Sequence, residues 1–357
     1  MDLVESNNKN NRIYYLDILR VMACLAVIMI HTSMTYVIKD IGSVNFWLGN
    51  IFDSLARIGV PLFVMISGTL MLNEKYECKK TKLIGHIKKM IVFFIFWSAI
   101  YCIVFNIIGQ IISKNEKIQV FNVIISFVQG YYHLWFIYLI IGLYIIVPLL
   151  RLWVKEKNKK YVEYFITLSI IFTYIIPQII NIGSNYNNVF EQLNDIIERK
   201  LCLRYVGGFT TYFILGWYIN NYDIKKQKSV YALGILGLII SIVGTYILST
   251  TTGRTIQMYE NLSLNVLLQS VAVFLFVKTK WKNIQYKDNK FIKLVSKNSL
   301  GIYAIHVLVI NIMYRILYRI GLDIAIINIP IVFIVSFIIS FIISFIFSKI
   351  PILKKIV

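Results

Sequence analysis

Long apolar blocks alternate with short polar segments along the whole chain of 357 residues. Each block is about 16 to 25 residues long, enough for a helix to cross a hydrocarbon core of about 30 Å. The alternation predicts an all-α polytopic membrane protein with about ten transmembrane helices. The predicted spans lie near 13–37, 50–72, 90–112, 133–150, 161–182, 205–220, 229–249, 261–277, 299–318 and 324–348.

The polar segments between the blocks are short, so we expect a single membrane domain over residues 1–357 with no soluble appendage. Residues 1–12 are polar and form a short N-terminal segment. The first apolar block is too long for the core of a cleavable signal peptide and has no small-residue cleavage site. The longest predicted external loop, 183–204, has apolar residues at helical spacing, which predicts an amphipathic helix in the outer interface.

The chain is strongly basic, and the position of its charges indicates why. Hydrophobic residues make up 58% of the sequence, charged residues make up 15%, and the net charge is +20. Alternate polar segments carry 26 of the 37 lysines and arginines, which by the positive-inside rule places both termini in the cytoplasm. The charge therefore predicts a cytoplasmic face beside anionic membrane lipids, not a nucleic-acid site. These segments are 1–12, 73–89, 151–160, 221–228, 278–298 and 349–357.

The four cysteines and four histidines show no metal-binding spacing, so we expect neither a metal site nor a disulfide framework. The richness in isoleucine, lysine and asparagine is typical of an AT-rich bacterial genome. The expected location is therefore the cytoplasmic membrane of a bacterium.

Arg20 and His31 lie in the first apolar block, eleven residues apart. Eleven residues of helix make about three full turns and rise about 16 Å, so the two side chains share one face. Ionisable groups inside a membrane helix are functional candidates by default. Arg20 fits a phosphate clamp reached from the cytoplasm, oriented by Asp17, or alternatively extends to the inner headgroups. His31 fits a general base, or alternatively bonds to a neighbouring helix.

Arg57, His133 and Trp135 enter predicted spans from the outer side, at a depth near that of His31. Each has two interpretations: a functional role near His31, or anchoring at the membrane interface. Cys24 shares the polar face of the first helix and has the chemistry to hold an acyl group covalently. A buried thiol more commonly acts as a small apolar side chain.

Lys88 and Lys89 lie at the cytoplasmic entry to the third predicted span. Their positive charge either serves only to orient the chain in the membrane or forms an entrance that binds phosphate groups. His306 is placed about two turns inside the cytoplasmic end of the ninth predicted span. There it either lines a ligand channel or bonds to a neighbouring helix.

Five sequence blocks follow one another in an order typical of a known family. The first is Arg20 and His31 with ten residues between them, after Leu16 and Asp17. The later blocks are VPLFVMISG, HLWFIYLIIGLYIIVPLLR, TYFILGWYI and SLGIYAIH. Together with ten predicted spans, they resemble the acyltransferase-3 family of integral membrane acyltransferases over essentially the whole chain. The compact form is similar to the branch that O-acetylates surface polysaccharides.

The resemblance implies an O-acyltransferase that moves an acyl group, acetyl by default, from cytoplasmic acyl-CoA to a hydroxyl of a cell-surface or lipid-linked carbohydrate. The acyl-CoA is a co-substrate, and no permanently bound cofactor is implied. Many members carry an arginine pair at the entry to the third span, where lysines keep the charge but lose bidentate phosphate binding. The predicted roles are catalytic base for His31, donor binding for Arg20, Asp17, Lys88, Lys89 and His306, and acceptor contact for Arg57, His133 and Trp135.

A transporter or flippase for a small metabolite or lipid-linked sugar is the main alternative, because ten spans with polar residues near the midplane suit that class. The absence of an inverted repeat and the presence of only five prolines argue against it. A membrane sensor or scaffold explains the basic loops but not the shared face of Arg20 and His31. The sequence leaves open the acyl group, the acceptor, direct transfer or an acyl-enzyme, and monomer or homodimer.

Overall fold

The computed structural model describes residues 12–75, 80–108, 120–196, 207–282, 289–351 and 353–356. These residues are almost entirely helical and contain no β-strand, which confirms the predicted all-α class. The α-helices are α1 (Tyr14–Val37), α2 (Val44–Ala56), α3 (Gly59–Met71), α4 (Lys80–Tyr101), α5 (Val120–Gln129), α6 (Trp135–Trp153), α7 (Lys159–Ser169), α8 (Ile176–Ser184), α9 (Asn188–Asp195), α10 (Phe209–Asn221), α11 (Gln227–Thr252), α12 (Leu264–Trp281), α13 (Lys290–Arg319) and α14 (Ala325–Lys349).

Nine helical stretches in the described residues are long and apolar enough to cross a membrane, so the polytopic membrane fold is confirmed. The tenth predicted span, 205–220, corresponds to α10, which has only 13 residues. At about 20 Å this helix is shorter than the hydrocarbon core. The nine stretches are Tyr14–Val37, Val44–Met71, Lys80–Phe105, Tyr132–Trp153, Glu156–Ser184, Gln227–Thr252, Leu264–Trp281, Lys290–Arg319 and Ala325–Lys349.

Two of these stretches are interrupted where the sequence predicted one continuous helix. The second breaks at Arg57 and Ile58, which separate α2 from α3. The fifth contains a π-helical segment, Ile170–Ile175, between α7 and α8. The break at Arg57 has a direct consequence for the site, because it leaves this arginine at the end of α2, one turn after Asp53.

The ninth predicted span is longer than expected, and this corrects the position of His306. The sequence placed the span at 299–318, whereas α13 runs from Lys290 to Arg319. The Asn289 side chain accepts a hydrogen bond of 3.2 Å from the Ile292 amide, which caps the additional N-terminal turns. His306 therefore lies near the middle of a 30-residue helix and not two turns from its cytoplasmic end.

The closest helix crossing in the bundle joins the two short helices α3 and α10. A Cβ added at Gly68 would lie 1.8 Å from the Phe213 carbonyl oxygen, and one at Gly216 would lie 2.0 Å from the Met65 carbonyl oxygen. Each glycine thus admits the backbone of the other helix. Small residues are the usual means of such packing in membranes, where dispersion contacts replace the hydrophobic effect between helices.

At the inner end of α10, a lysine from another helix donates hydrogen bonds to the free backbone carbonyl groups. The Lys278 ammonium of α12 donates to the carbonyl oxygens of Ile219 at 2.5 Å and Tyr222 at 3.1 Å. These carbonyls belong to the last turn of α10 and the residue after it, where the helix dipole favours a cation. Lys278 is buried. The sequence analysis counted it among the cytoplasmic loop charges, and the structure corrects that assignment.

Helix α1 occupies a central place, packing against α2, α3, α12, α13 and α14. Gly49 of α2 and Gly59 of α3 permit this, since a Cβ at either position would come within 3.1 Å of α1 backbone atoms. We call the end of the bundle that holds Arg12 the inner face, and the end that holds Val37 the outer face. On the inner face, the Arg12 side chain donates to the Lys293 carbonyl at 3.5 Å.

The predicted external loop 183–204 lies partly outside the described residues, as does the N-terminal segment up to residue 11. Within the loop, α9 has eight residues and packs on α8. The Phe190 ring lies where a Cβ at Gly183 would be, so the two short helices are in close contact.

The close approach of α3 and α10 predicts that the stability lost by a glycine-to-alanine substitution depends strongly on its position. Gly68→Ala forces α3 away from α10, so we expect a destabilisation of about 2 kcal/mol or more. Thermal unfolding of the purified protein in detergent measures this. Gly142→Ala is the matched control, because a Cβ there meets nothing within 4 Å. Equal melting temperatures for the two variants would contradict the crossing.

Candidate active site

Three imidazole rings from three parts of the chain meet inside the bundle. His31 comes from α1, His133 from the 3-10 turn before α6, and His306 from the middle of α13. The ring centroids of His31 and His306 are 5.1 Å apart, those of His133 and His306 are 5.6 Å apart, and those of His31 and His133 are 6.4 Å apart. The sequence analysis assigned these residues to three different roles, whereas the structure places them in one cluster, called the histidine cluster below.

The hydrogen bonding of His306 fixes which of its nitrogens can accept a proton. Its Nδ1 lies 2.7 Å from the Tyr303 carbonyl oxygen, so Nδ1 carries the hydrogen and donates. In a neutral ring Nε2 is then the acceptor, and it is buried with no hydrogen-bond partner among the described residues. Both ring nitrogens of His133 are also buried without a partner there. The cluster thus holds basic nitrogens that the described part of the protein does not occupy.

Tyrosine rings surround the histidine cluster. Tyr132 meets His31 edge to face at 5.3 Å, and Tyr101 meets His133 at 4.8 Å. The Tyr303 hydroxyl donates to the His133 carbonyl oxygen, and this joins α13 to the turn before α6. Aromatic packing of this kind excludes water and limits ring rotation, both of which general base catalysis requires.

Asp17 joins α1 to α13 on the inner side of the cluster. Its carboxylate accepts hydrogen bonds from Arg12 at 2.5 and 3.1 Å, from Arg20 at 3.1 Å and from the Ser296 hydroxyl at 2.6 Å. Asp17 is fully buried, and the Arg20 side chain is 11% exposed. The predicted pairing of Asp17 with Arg20 is therefore present. The Arg20 Nε is buried and has no hydrogen-bond partner among the described residues, so this edge of the guanidinium is available to a ligand.

A small apolar cavity of about 40 Å³ lies between Tyr144 and Tyr303, and neither Arg20 nor a residue of the histidine cluster is among its lining residues. Tyr144 at one end is an electrostatic neighbour of Arg20. Tyr303 at the other end contacts both His133 and His306. The cavity lies between α3, α4, α6 and α13, and its lining includes Phe63, Ser67, Met90, Phe136, Tyr144 and Tyr303.

On the outer side of the cluster, Arg57 forms a buried ion pair. Its guanidinium donates to both oxygens of Asp53, at 2.6 and 2.9 Å, and lies 4.5 Å from the centre of the Tyr259 ring. Asp53 is fully buried, and the Arg57 side chain is 12% exposed. Arg57 also contacts the Met34 sulfur at 3.7 Å, one turn beyond His31 on α1. Arg57 is therefore held inside the protein and does not extend to the outer interface.

The remaining predicted residues lie farther from the cluster. Lys88 is exposed on the same side of α4 as Val92 and Ile95, which are also exposed. Lys89 is half-buried and precedes Met90, which lines the apolar cavity. Trp135 is 38% exposed and packs on Phe209 at 5.7 Å, outside the histidine cluster.

Sequence reasoning missed two residues that shape the site. Asp53 precedes Arg57 by four residues, a spacing that pairs opposite charges on a helix and was available in the sequence. Tyr303 precedes His306 by three residues and thus shares its helix face, but only the fold brings it against His133. Among the described residues, no group of histidine, cysteine or acidic side chains could hold a metal ion.

Comparison with known proteins identifies the family. The sequence profile of acyltransferase-3, described as an acyltransferase domain, matches residues 13–349. The chain belongs to the acyltransferase-3 family. Membership of the acyltransferase-3 family confirms the resemblance drawn from the five sequence blocks, and the chain is a multi-pass membrane protein of that family.

Two further comparisons add less than the family does. The chain is 27% identical to a protein of Enterococcus faecalis named an amino-acid racemase. The similarity covers 63% of this chain but only 31% of that protein's length, so the chain spans about a third of it. No solved structure matches the chain.

The buried Asp53–Arg57 pair predicts that replacing one partner destabilises the protein more than replacing both partners with apolar side chains. Asp53→Asn leaves the Arg57 charge buried without a counterion, so we expect a loss of about 3 kcal/mol of stability. The double variant Asp53→Leu, Arg57→Met replaces the pair with apolar side chains and should recover most of that loss. Thermal unfolding in detergent compares the two. A double variant no more stable than Asp53→Asn would show that the pair is not a buried unit.

Proposed function

We propose that this acyltransferase moves an acetyl group from cytoplasmic acetyl-CoA to a hydroxyl of a cell-surface or lipid-linked carbohydrate, in the cytoplasmic membrane of a bacterium. The arrangement of Arg20, the apolar cavity and the histidine cluster carries the proposal: the cavity residue Tyr144 is a neighbour of Arg20, and the cavity residue Tyr303 packs on His133 and His306. A thioester donor has a polar, phosphate-bearing end and a slender arm that ends in the acyl group. The order of a cation, apolar side chains and a cluster of basic groups matches the order of these parts along such a molecule.

The inner end of the cavity supports donor binding. Arg20 offers an unoccupied Nε edge beside a carboxylate that fixes its orientation. Lys89 is half-buried next to the cavity residue Met90 and adds a second cation, whereas the exposed face of α4 makes Lys88 the weaker candidate. Guanidinium groups bind phosphate oxygens through charge-assisted hydrogen bonds.

The reaction needs one base, and His31 is placed to serve. An imidazole nitrogen of His31 takes the proton from the acceptor hydroxyl as its oxygen attacks the thioester carbonyl carbon. The C–S bond of the tetrahedral intermediate then breaks, and the CoA sulfur leaves with the proton that His31 returns. His306 and His133 lie beside His31 and keep polar groups around the developing charge in a site enclosed by tyrosines. This sequence requires no covalent acyl-enzyme.

The transporter alternative has less support than the enzyme. Family membership is that of acyltransferases. The racemase similarity supports no activity for this chain, because it covers only 31% of that protein.

The role of His31 as general base predicts that removing its imidazole slows acetyl transfer to the glycan. In membranes that contain the protein and host envelope glycans, labelled acetyl-CoA should label the glycan in the wild type. His31→Ala should reduce this rate by about 10² or more, the usual contribution of a general base. His86→Ala, on the inner part of α4, is the matched control and should transfer normally. Transfer that survives His31→Ala at matched expression would contradict the assigned base.

The proposed donor contact predicts a change in one kinetic constant. Arg20→Lys keeps the charge beside Asp17 but loses the Nε edge, so we expect the acetyl-CoA KM to rise about tenfold or more. The acceptor KM should not change. Lys160→Ala is the control, since its side chain is exposed on α7 and has no assigned role. An unchanged acetyl-CoA KM in folded Arg20→Lys would remove Arg20 from donor binding.

A further inference from the structure

A second cavity, polar and larger than the first, opens at the outer face. It has a volume of about 240 Å³ and lies between the end of α8 and the segment 253–263 that joins α11 to α12. This volume is near the lower end of small-molecule sites, about 300 Å³, and suits one sugar ring better than a longer chain. Its polar lining residues are Gln178, Asn181, Ser184, Gln257, Glu260 and Ser263.

The cavity reaches the region of the predicted base through Gln257. The Gln257 amide nitrogen lies 3.3 Å from the Met34 sulfur, and its amide oxygen accepts from Arg57 at 3.5 Å. Met34 is three residues after His31, so the two share a face of α1 with an axial rise of about 4.5 Å between them. Gln257 therefore connects the cavity to Met34, which is about one helical turn from His31 along α1.

The wall of the cavity is preorganised by buried hydrogen bonds. The Gln178 side chain accepts from the Leu264 amide at 2.7 Å and donates to the Asn265 side chain at 2.9 Å. Asn265 in turn donates to the Ser241 hydroxyl at 2.6 Å. These bonds join α8, α11 and α12 and occupy Gln178. Asn181 is different, because its side chain makes no hydrogen bond within the described residues and is free to bind a ligand.

The charge of the lining selects among acceptors. Glu260 is the one ionised residue among the lining residues, and its carboxylate repels anions. The positive charge of Arg57 is offset by Asp53. Arg254 lies on the rim, where it is exposed and donates to the Asn185 side chain at 3.0 Å. Amides and hydroxyls both donate and accept hydrogen bonds, as uncharged sugar hydroxyls require.

We infer that this outer cavity is the acceptor subsite and that it binds an uncharged sugar unit, with one hydroxyl directed past Gln257 and Met34 toward His31. The inference rests on the proposed carbohydrate O-acetyltransferase function. It specifies the acceptor, because the Glu260 carboxylate disfavours sugars that carry a carboxylate or phosphate at this unit.

A labelling experiment without acetyl-CoA tests the subsite independently of transfer. Asn181→Cys is made in the full chain with Cys78 and Cys202 replaced by serine, since Cys24 and Cys102 are buried. Reaction with a membrane-impermeant maleimide is followed in the presence of the methyl glycosides of glucose, galactose, mannose and N-acetylglucosamine, and of methyl glucuronide. Thr250→Cys, exposed at the same end of the bundle but outside the cavity lining, is the control.

At least one neutral glycoside should slow labelling of Asn181→Cys about threefold or more, while methyl glucuronide does not and Thr250→Cys labels at a constant rate. Protection by none of the neutral glycosides, or equal protection by the glucuronide, would overturn the inference. The labelling assay contains no acetyl donor, so protection here together with no transfer in the labelled acetyl-CoA assay would count against the proposed function and not against the subsite.

Steady-state kinetics supply a second test of the outer cavity as the acceptor subsite. Asn181→Ala should raise the KM for the protecting glycoside or its glycan about threefold to tenfold, the effect of one neutral hydrogen bond, with the acetyl-CoA KM unchanged. Thr250→Ala should leave both constants as in the wild type. A rise in the acetyl-CoA KM with no change in the acceptor KM would place Asn181 on the donor side and overturn the assignment.

Discussion

A charge inside a membrane protein must be paired there, and the pairing of two buried carboxylates determines much of this architecture. Asp17 and Asp53 are both inaccessible to solvent, and each is bound by at least one arginine. Desolvation of an unpaired charge costs several kcal/mol, so each carboxylate fixes the position of its partner. Asp17 thereby holds α1 against α13 through Ser296, and Asp53 holds Arg57 at the end of α2.

These two pairs lie on opposite sides of the histidine cluster. The Arg20 pair is about three helical turns from His31 along α1, and the Arg57 pair contacts Met34 one turn beyond it. The region between is apolar and aromatic apart from the three imidazoles. The two sides of the site therefore offer different groups to a ligand. The inner side has a cation and an apolar cavity, and the outer side has amides and a carboxylate.

The sequence was sufficient for features that depend on local periodicity. Block lengths identified the membrane helices, and the eleven-residue spacing placed Arg20 and His31 on one face. The meeting of His133 and His306 with His31 could not be predicted, because it depends on contacts between segments more than 100 residues apart. The helix that carries His306 is longer than predicted, since the polar first turns of α13 carry no hydrophobic signal. The roles of the individual site residues stay predictions.

Lysines were the least predictable residues. Lys278 looks like a loop charge in the sequence, yet it caps α10 because a short helix happens to end beside it. Lys88 and Lys89 are adjacent in sequence, but helical geometry leaves the first exposed and the second half-buried. Net charge alone distinguishes none of these cases.

The glycine crossing of α3 and α10 also affects how the protein responds to its bilayer. Both helices are short and mostly buried, so surrounding helices, and not lipid tails, cover them. A bilayer that thickens or thins exerts its mismatch force on helices with exposed apolar faces, such as α11 and α14. The central pair is shielded from that force. A change in lipid chain length would then tilt the periphery while the crossing beside the apolar cavity keeps its geometry.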